Sequence, residues 1–198
     1  MQTPALPLCS ASQIGVRELT VEDATLLQAF FEANPDYFLI VEGEPAGPDK
    51  AREELLGELP PGWSFSKNWM LGYQAEDRPL VAALQFVSDL LAPKVWHIGL
   101  FIIANDLHGS GIAQTLYRDV ETWARANGAD WLRLCVVRSN VKAGRFWRAL
   151  GFAEVRTREG IEMGRLSHSV DILIKPLNGG TREQYLSLIE RDRPEHCD

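Results

Sequence analysis

The sequence has few side chains that could form cross-links or hold a metal ion. Its 198 residues contain three cysteines and four histidines, and Cys9, Cys135 and Cys197 are far apart and form no CxxC pair. Disulfide frameworks and zinc sites need closely spaced pairs of such ligands, so the sequence predicts neither a disulfide nor a metal site. Cys135 lies in the apolar run Trp131–Val137 and is expected to be a small, buried side chain.

Basic residues and long apolar runs are also scarce. The chain carries 20 Lys and Arg against 27 Asp and Glu, a net charge of −7, which argues against nucleic acid as a partner because phosphate binding needs clustered cations. Apolar runs such as residues 98–104 are much shorter than the roughly 20 residues of a membrane helix. No basic residue precedes Arg17, and Pro4 and Pro7 interrupt the first apolar stretch, so no signal peptide is expected. The sequence therefore predicts a cytoplasmic protein that binds neither nucleic acid nor membrane.

Apolar residues are abundant enough for a single core. Hydrophobic residues make up 45% of the chain and charged residues 24%, which excludes a disordered chain and fits one domain. We expect this domain at residues 14–177, with an N-terminal extension at 1–13 and a peripheral tail at 178–198.

The periodicity of the apolar residues predicts a mixed α/β fold. A capping box at residues 20–23 begins a helix that ends at Asn34 and Pro35. Residues 34–61 are rich in proline and glycine and are expected to be irregular, apart from one short helix at 48–57. Helical periods also follow Gly109 and either Ser139 or Asn140. Strands are predicted at residues 14–19, 68–73, 80–87, 95–103, 131–137, 152–158 and 170–174.

The segment after the strand at 95–103 is the most informative one. Gly109, Ser110 and Gly111 form a small-residue turn that leads into a helix, where backbone N–H groups are unpaired and the helix dipole is positive. Such a turn can bind a pyrophosphate group, but a plain strand-to-helix turn has the same pattern. A Walker loop is excluded because no Lys-Ser or Lys-Thr follows, and Gln114 replaces the third glycine of a dinucleotide fingerprint.

Two motifs in this region resemble those of the GNAT superfamily of N-acetyltransferases, and the resemblance extends over residues 14–177. Residues 108–113, His-Gly-Ser-Gly-Ile-Ala, match the family's Arg/Gln-x-x-Gly-x-Gly/Ala motif except at the first position. The second motif, Asn-x-x-Ala-x-x-Phe-Tyr-x-x-x-Gly-Phe, is met by Asn140, Ala143, Phe146, Trp147, Gly151 and Phe152. The Asn-Pro-Asp-Tyr-Phe segment at 34–38 is similar to one bacterial branch. The resemblance implies a central, mostly antiparallel sheet with a splayed parallel strand pair and flanking helices.

The resemblance also implies acetyl-CoA as the acetyl donor. In the family the pantetheine lies along the splayed strand, the pyrophosphate lies on the glycine turn, and the second helix holds the cofactor from the other side. The residues of this chain that match those positions are Phe101, Ile102, Ile103, His108, Gly109, Ser110, Gly111, Ile112, Ala113, Gln114, Asn140, Ala143, Arg145 and Phe146.

The charge pattern supports an anionic ligand near the second motif. Residues 138–153 contain four cations and no acid: Arg138, Lys142, Arg145 and Arg148. These side chains would attract phosphate groups, although a solvated helix face has the same appearance.

Candidates for proton transfer come from both the residues and the resemblance. His97 lies on the predicted central strand near the place where several family members have a glutamate base, and a histidine with a pKa near 6.5 could accept a proton at neutral pH. A structural histidine at a strand end is the other interpretation. Strand alternation would put His97, Gly99 and Phe101 on one face, with free space at Gly99. Trp147 stands where many members have a tyrosine acid, but an indole N–H cannot supply a proton, so a water or Tyr37 could serve instead.

The acceptor is expected to be a primary amine of a small molecule or a peptide. Asp36, Tyr37 and Glu42 lie in the irregular, acid-rich segment where family members build the acceptor pocket. The sequence thus favours an N-acetyltransferase that works by direct transfer in a ternary complex. A non-catalytic acyl-CoA-binding module is the alternative, and homodimerisation stays open.

Overall fold

The computed structural model describes residues 5–195 and contains one seven-stranded mixed sheet. The strand order is β1-β2-β3-β4-β5-β7-β6, and every neighbouring pair is antiparallel except β4 and β5, which run parallel. The predicted α/β fold with one parallel pair in a mostly antiparallel sheet is confirmed. The strands are β1 (Ile14–Leu19), β2 (Lys67–Ala75), β3 (Arg78–Ser88), β4 (Val95–Ile103), β5 (Trp131–Val137), β6 (Ala153–Met163) and β7 (Leu166–Pro176).

Helices cover both faces of the sheet. They are α1 (Ala24–Ala33), α2 (Asp36–Val41), α3 (Lys50–Leu56), α4 (Ile112–Ala126), α5 (Val141–Ala149) and α6 (Arg182–Leu188). Helices α4 and α5 bury their apolar stripes in one core, while α1, α2 and α3 pack on the opposite face. No helix within residues 5–195 has the length and apolar character needed to cross a bilayer.

The segment expected to be irregular contains the helix α2. Helix α1 ends at Asn34, as predicted, but Pro35 then takes the position before the first residue of α2 with a φ of −71°. A proline is tolerated at a helix start because its missing N–H has no intrahelical partner there. Asp36 and Tyr37 are therefore held on a helix, and the expectation of an irregular segment is wrong here.

The C-terminal tail is also different from the expectation, because it packs against the sheet. Tyr185 and Ile189 are buried in an apolar cluster with residues of β5 and β7. Asp192 is fully buried, and its carboxylate accepts hydrogen bonds of 2.8 and 3.0 Å from Arg133, on β5. A buried guanidinium requires a partner, and the tail supplies it. The prediction of a peripheral tail is therefore wrong for residues up to 195, and residues 196–198 lie outside the described part.

A β-bulge interrupts β4 in the middle of the sheet. Phe86 on β3 pairs with Ile98, but the next residue, Gln85, pairs with Leu100, so Gly99 is an extra residue without a partner on β3. The bulge reverses the alternation of side chains after this point. Phe101 and Ile103 consequently face the α4–α5 core together with Ile98, whereas His97 faces the opposite side. The predicted common face for His97 and Phe101 is therefore wrong.

Candidate active site

A cleft opens where the two parallel strands separate. β4 and β5 pair only from Val95 to Ile98 and from Trp131 to Leu134, after which β5 continues along β7 alone. Beyond Ile98, no strand pairs with the β5-facing edge of β4 in the described part of the chain. A cleft of about 270 Å³ lies at this end of β4, lined by Phe101 to Ile103 together with residues of α2, the glycine turn and α5. Its wall thus offers main-chain hydrogen-bonding groups to a ligand.

The cleft brings together most of the residues predicted from the two motifs. They come from the strand, the glycine turn, α5 and α2, and they are Phe101, Ile102, Ile103, His108, Gly109, Gly111, Ala113, Asn140, Ala143, Phe146, Trp147, Asp36 and Tyr37. Six predicted residues lie elsewhere, and one of them is His97, which is described below. Ser110, Ile112 and Gln114 line a neighbouring groove, and neither Arg145 nor Glu42 lines the cleft.

Four lining residues were missing from the predicted set: Ile40, Asn105, Leu107 and Lys142. Ile40 was missed because it lies on helix α2, which the sequence analysis did not predict, and no motif marks Asn105 or Leu107. The sequence did mark Lys142, but only as one of the four cations in the segment described above.

The glycine turn leaves an open cradle at the mouth of the cleft. Gly109 and Gly111 have φ angles of +83° and +88°, in the left-handed region, and a β-carbon on either would meet no atom within 4 Å. Within residues 5–195, the N–H groups of Gly109, Gly111 and Ala113 have no hydrogen-bond partner. Unpaired N–H groups at the start of a 15-residue helix fit a phosphate group.

Asn140 and the cation segment have more specific roles than the sequence indicated. Asn140 is the N-cap of α5, since its Oδ1 accepts a 3.0 Å hydrogen bond from the N–H of Ala143. This resolves the choice between Ser139 and Asn140. Arg138 and Arg148 both bind Asp171, at 2.6 and 2.8 Å, so these two cations are neutralised within the fold.

Trp147 forms the floor of the cleft. Only 7% of the residue is exposed, and its ring packs against Phe101, Tyr117, Phe146 and Phe152 with centroid distances of 4.9 to 5.9 Å. An indole in such a cluster shapes the apolar surface of the cleft, and the N–H supplies no proton at ordinary pH.

Tyr37 reaches the same cleft from α2. Burial raises the pKa of its phenol well above the usual value, and the nearby carboxylates of Glu54 and Glu42 raise it further. The phenol therefore remains protonated at neutral pH and can donate a hydrogen bond. Glu42 and Glu54 are themselves paired with Lys50, whose ammonium lies 2.7 and 3.2 Å from their carboxylates.

His97 lies outside the cleft lining, beside a buried cation. Its Nδ1 is 3.4 Å from Nη1 of Arg133. Burial lowers the pKa of His97, and the positive charge of Arg133 lowers it further, to about 3. The space expected at Gly99 is occupied as well, because a β-carbon there would lie 2.2 Å from Oε1 of Gln85. The expectation that His97 is a base with a pKa near 6.5 is therefore wrong.

This depressed pKa predicts an acid-sensitive fold. The unfolded chain binds a proton on His97 below about pH 6.5, while the folded protein does so only near pH 3, so the free energy of unfolding falls as the pH is lowered through this range. His97→Gln removes this titrating group. The free energy of unfolding should then depend less steeply on pH between roughly pH 6.5 and 5, a range above that in which most carboxylates titrate. Urea unfolding at a series of pH values measures both slopes. Equal slopes in the two proteins would contradict the prediction.

Cys135 is exposed, contrary to the expectation of a buried side chain. It points to the face opposite α4 and α5, where neither the α1–α3 layer nor the C-terminal tail covers it, and its sulfur accepts a 3.4 Å contact from Nη1 of Arg133. Gly99 is exposed on the neighbouring strand. The sheet is thus accessible at the separation point from the face opposite the glycine turn.

The hairpin of β6 and β7 docks onto the end of α2. The N–H of Arg165 donates a 2.8 Å hydrogen bond to the carbonyl of Glu42, and Nε2 of His168 lies 2.8 Å from the carbonyl of Val41. These contacts fix the segment that carries Tyr37 and Glu42 relative to the sheet.

Residues 5–195 contain no group of three or more His, Cys, Asp or Glu side chains that could hold a metal ion.

Comparison with solved structures gives many matches of the same fold. An acetyltransferase from Thermus thermophilus superposes with a TM-score of 0.65 at 21% identity, covering 83% of this chain and 97% of its own. Spermidine N-acetyltransferase from Vibrio cholerae, in complex with CoA and spermine, gives 0.65 at 16% identity, covering 84% and 97%. Ribosomal-protein-S5-alanine acetyltransferase from Vibrio fischeri gives 0.67 at 12% identity, covering 89% and 100%. At these identities the likeness concerns the fold alone.

The sequence comparisons identify the family. No curated protein sequence matches the chain. The model of the acetyltransferase (GNAT) family, whose members use acetyl-CoA as co-substrate, matches residues 27–152, which include the separating strands, the glycine turn and α5. The match spans more than half of the chain, and the chain therefore belongs to the GNAT acetyltransferase family.

Proposed function

We propose that the protein transfers the acetyl group of acetyl-CoA directly to a primary amine within a ternary complex. The observation that carries this proposal is the separation of β4 and β5, which leaves the sheet accessible from two faces. Phe146 and Trp147 line the cleft from one face of the sheet, whereas Asp36 and Tyr37 of α2 line it from the opposite face, where Cys135 is exposed. Two substrates can therefore meet at the separation point without passing each other.

The cofactor side holds the donor through main-chain groups. The unpaired edge of β4 at Phe101 to Ile103 can hydrogen-bond to the amides of pantetheine, and the N–H groups of Gly109, Gly111 and Ala113 can bind the pyrophosphate. When bound, acetyl-CoA supplies an acetyl group activated as a thioester. Trp147 and Phe101 give this part of the cleft an apolar wall that excludes water from the thioester.

The acceptor side presents Asp36 and Tyr37, with Glu42 close by, to an amine. In direct transfer the amine nitrogen bonds to the carbonyl carbon, the C–S bond breaks, and the electron pair goes to sulfur. The proton released by the nitrogen goes to water, because His97 is too weak a base at a pKa of about 3. Tyr37 donates a hydrogen bond to the leaving sulfur, in the role that Trp147 cannot fill.

The proposed function is tested by release of the CoA thiol in the presence of amines. We expect thiol release to depend on both acetyl-CoA and one class of amine from a panel of peptide N-termini, polyamines and aminoglycosides. Thermal shift with acetyl-CoA serves as the binding control. Binding without thiol release for any amine would favour the non-catalytic acyl-CoA-binding module instead.

Direct transfer also predicts that Cys135 is dispensable for turnover. An exposed thiol beside the separation point is the one candidate in the described chain for a covalent acetyl carrier at that opening. We expect Cys135→Ala to keep turnover within about twofold, because no step of direct transfer uses the thiol. Intact-protein mass spectrometry after exposure to acetyl-CoA should detect no acetyl adduct. Loss of turnover in a folded Cys135→Ala protein, or an adduct that the substitution removes, would indicate a two-step mechanism.

A further inference from the structure

The mouth of the cleft contains a cation held by a histidine. Nζ of Lys142, on the first turn of α5, lies 2.9 Å from Nδ1 of His108, and Nε2 of the same ring lies 3.1 Å from the carbonyl of Ile103. An ammonium group has only donors, so Nδ1 accepts and Nε2 carries the proton that bonds to Ile103. The imidazole is therefore fixed by the end of β4 and in turn fixes the lysine.

Lys142 has no carboxylate to neutralise it. Its neighbours in the cation segment, Arg138 and Arg148, are bound to Asp171 and Glu154, whereas no acidic side chain in residues 5–195 pairs with Lys142. The ammonium lines the same cleft as Gly109 and Gly111. A positive charge without a carboxylate partner thus lines the same cleft as the unpaired N–H groups of the turn.

We propose that Lys142 binds the pyrophosphate of acetyl-CoA and that His108 acts as its positioning residue. This inference rests on the proposed use of the turn as the pyrophosphate site, and it assigns a function to the unusual histidine at the start of the turn. The backbone N–H groups bind the phosphate oxygens from one side, and Lys142 supplies the opposite charge from α5. His108 contributes by holding the long, flexible lysine side chain in place before the ligand arrives, which reduces the entropy lost on binding.

The test compares ligand affinities of variants by isothermal titration calorimetry with CoA and dephospho-CoA. Lys142→Met keeps the length of the side chain without its charge, and we expect it to weaken both ligands by about tenfold, the range of one charge-assisted hydrogen bond. The effect should be equal for the two ligands because dephospho-CoA lacks only the 3′-phosphate. Lys142→Arg should recover most of the affinity. Arg118→Met is the matched control, since it removes one positive charge from an exposed position on α4 outside the cleft lining.

The positioning role of His108 is tested by a double-mutant cycle. His108→Ala alone should weaken CoA by about three- to fivefold, because the lysine remains but is no longer held. Adding His108→Ala to Lys142→Met should cause no further loss. A further loss would show that the histidine binds phosphate itself and would overturn the positioning role.

Two outcomes would overturn the assignment of Lys142. One is an unchanged affinity of Lys142→Met for CoA, and the other is a loss that disappears with dephospho-CoA, which would assign the lysine to the 3′-phosphate. Failure of the proposed cofactor site is distinguishable from both, because in that case the wild-type protein would not bind CoA. Failure of acetyl transfer alone leaves CoA binding intact and is detected only by the thiol-release assay.

Discussion

Replacing Asp192 by alanine is expected to lower the free energy of unfolding by about 3–5 kcal/mol, the range for removing one partner of a buried ion pair. Arg133 and Asp192 are 1% and 0% exposed, and the carboxylate accepts two hydrogen bonds from the guanidinium and one of 2.5 Å from the Tyr185 hydroxyl. Without the carboxylate, a positive charge stays buried next to His97 with nothing to neutralise it. The loss is measured by urea unfolding at neutral pH.

A control and a rescue separate this effect from general damage to the tail. Glu190→Ala changes an exposed residue of the same turn, whose ion pair with Arg193 lies on the surface, and should cost no more than about 0.5 kcal/mol. The double variant Arg133→Met with Asp192→Leu removes both charges and should regain most of the stability. A single Asp192→Ala variant as stable as the wild type would contradict the role of the buried pair.

The same ion pair gives a direction for the pH dependence. Burial would raise the pKa of Asp192, but the hydrogen bonds and charge of Arg133 outweigh it, so the pKa in the fold is below the usual value. Asp192 therefore stabilises the fold at pH values above ~3.9, the pKa of its carboxyl group in the unfolded chain. This contribution is lost as the pH falls below that value. The stability lost when Asp192 is protonated adds to the stability lost through His97, but it is lost at lower pH.

Gly111→Glu is expected to weaken acetyl-CoA binding by at least about a hundredfold, about 2.7 kcal/mol. Gly111 lies at the centre of the cradle with a φ of +88°, so a side chain there occupies the position proposed for the pyrophosphate, and the carboxylate repels it. The left-handed conformation also strains any residue other than glycine, by roughly 1–3 kcal/mol. Thermal shift and calorimetry with acetyl-CoA measure the loss of binding.

Gly128→Glu is the matched control for this variant. Gly128 ends α4, has a φ of +92° and has open space around its α-carbon, so the substitution brings the same charge and the same backbone strain far from the cleft. We expect it to lose similar stability and to keep the acetyl-CoA response. If both variants lost the response equally, or if Gly111→Glu kept it, the assignment of the cradle would be wrong.

Local patterns in the sequence were sufficient for the elements that carry the cofactor cleft. The run Val95–Ile103 has apolar residues on both sides because β4 is central in the sheet, and the glycines after it mark a turn that needs positive φ angles. A helix cap could be expected at Ser139 or Asn140, because either side chain can bond to a nearby backbone N–H, and the structure has Asn140 in this role. Each of these features depends on neighbours within a few residues, which the sequence displays directly.

Errors arose where a residue's environment depends on distant segments. After the bulge at Gly99, each side chain of β4 points to the face opposite to the one that strict alternation predicts. Alternation along a sequence gives no indication of where such an extra residue lies. Cys135 is exposed because no helix within residues 5–195 covers its part of the sheet, although its strand is apolar. The depressed pKa of His97 comes from its burial and from Arg133 on the adjacent strand, at the same level in the parallel pairing.

The sequence by itself indicated the family, through the two motifs at residues 108–113 and 140–152. It also determined the order of the seven strands along the chain and the turn that can hold a phosphate, because these follow from short-range periodicity and backbone preferences. The tertiary structure alone decided which face each side chain of β4 occupies, that Asp192 of the tail neutralises Arg133, and that Lys142 rests on His108. These contacts join residues 34 to 59 positions apart, or depend on pairing with another strand. Their energies are set by burial and charge in the assembled fold, which no local pattern records.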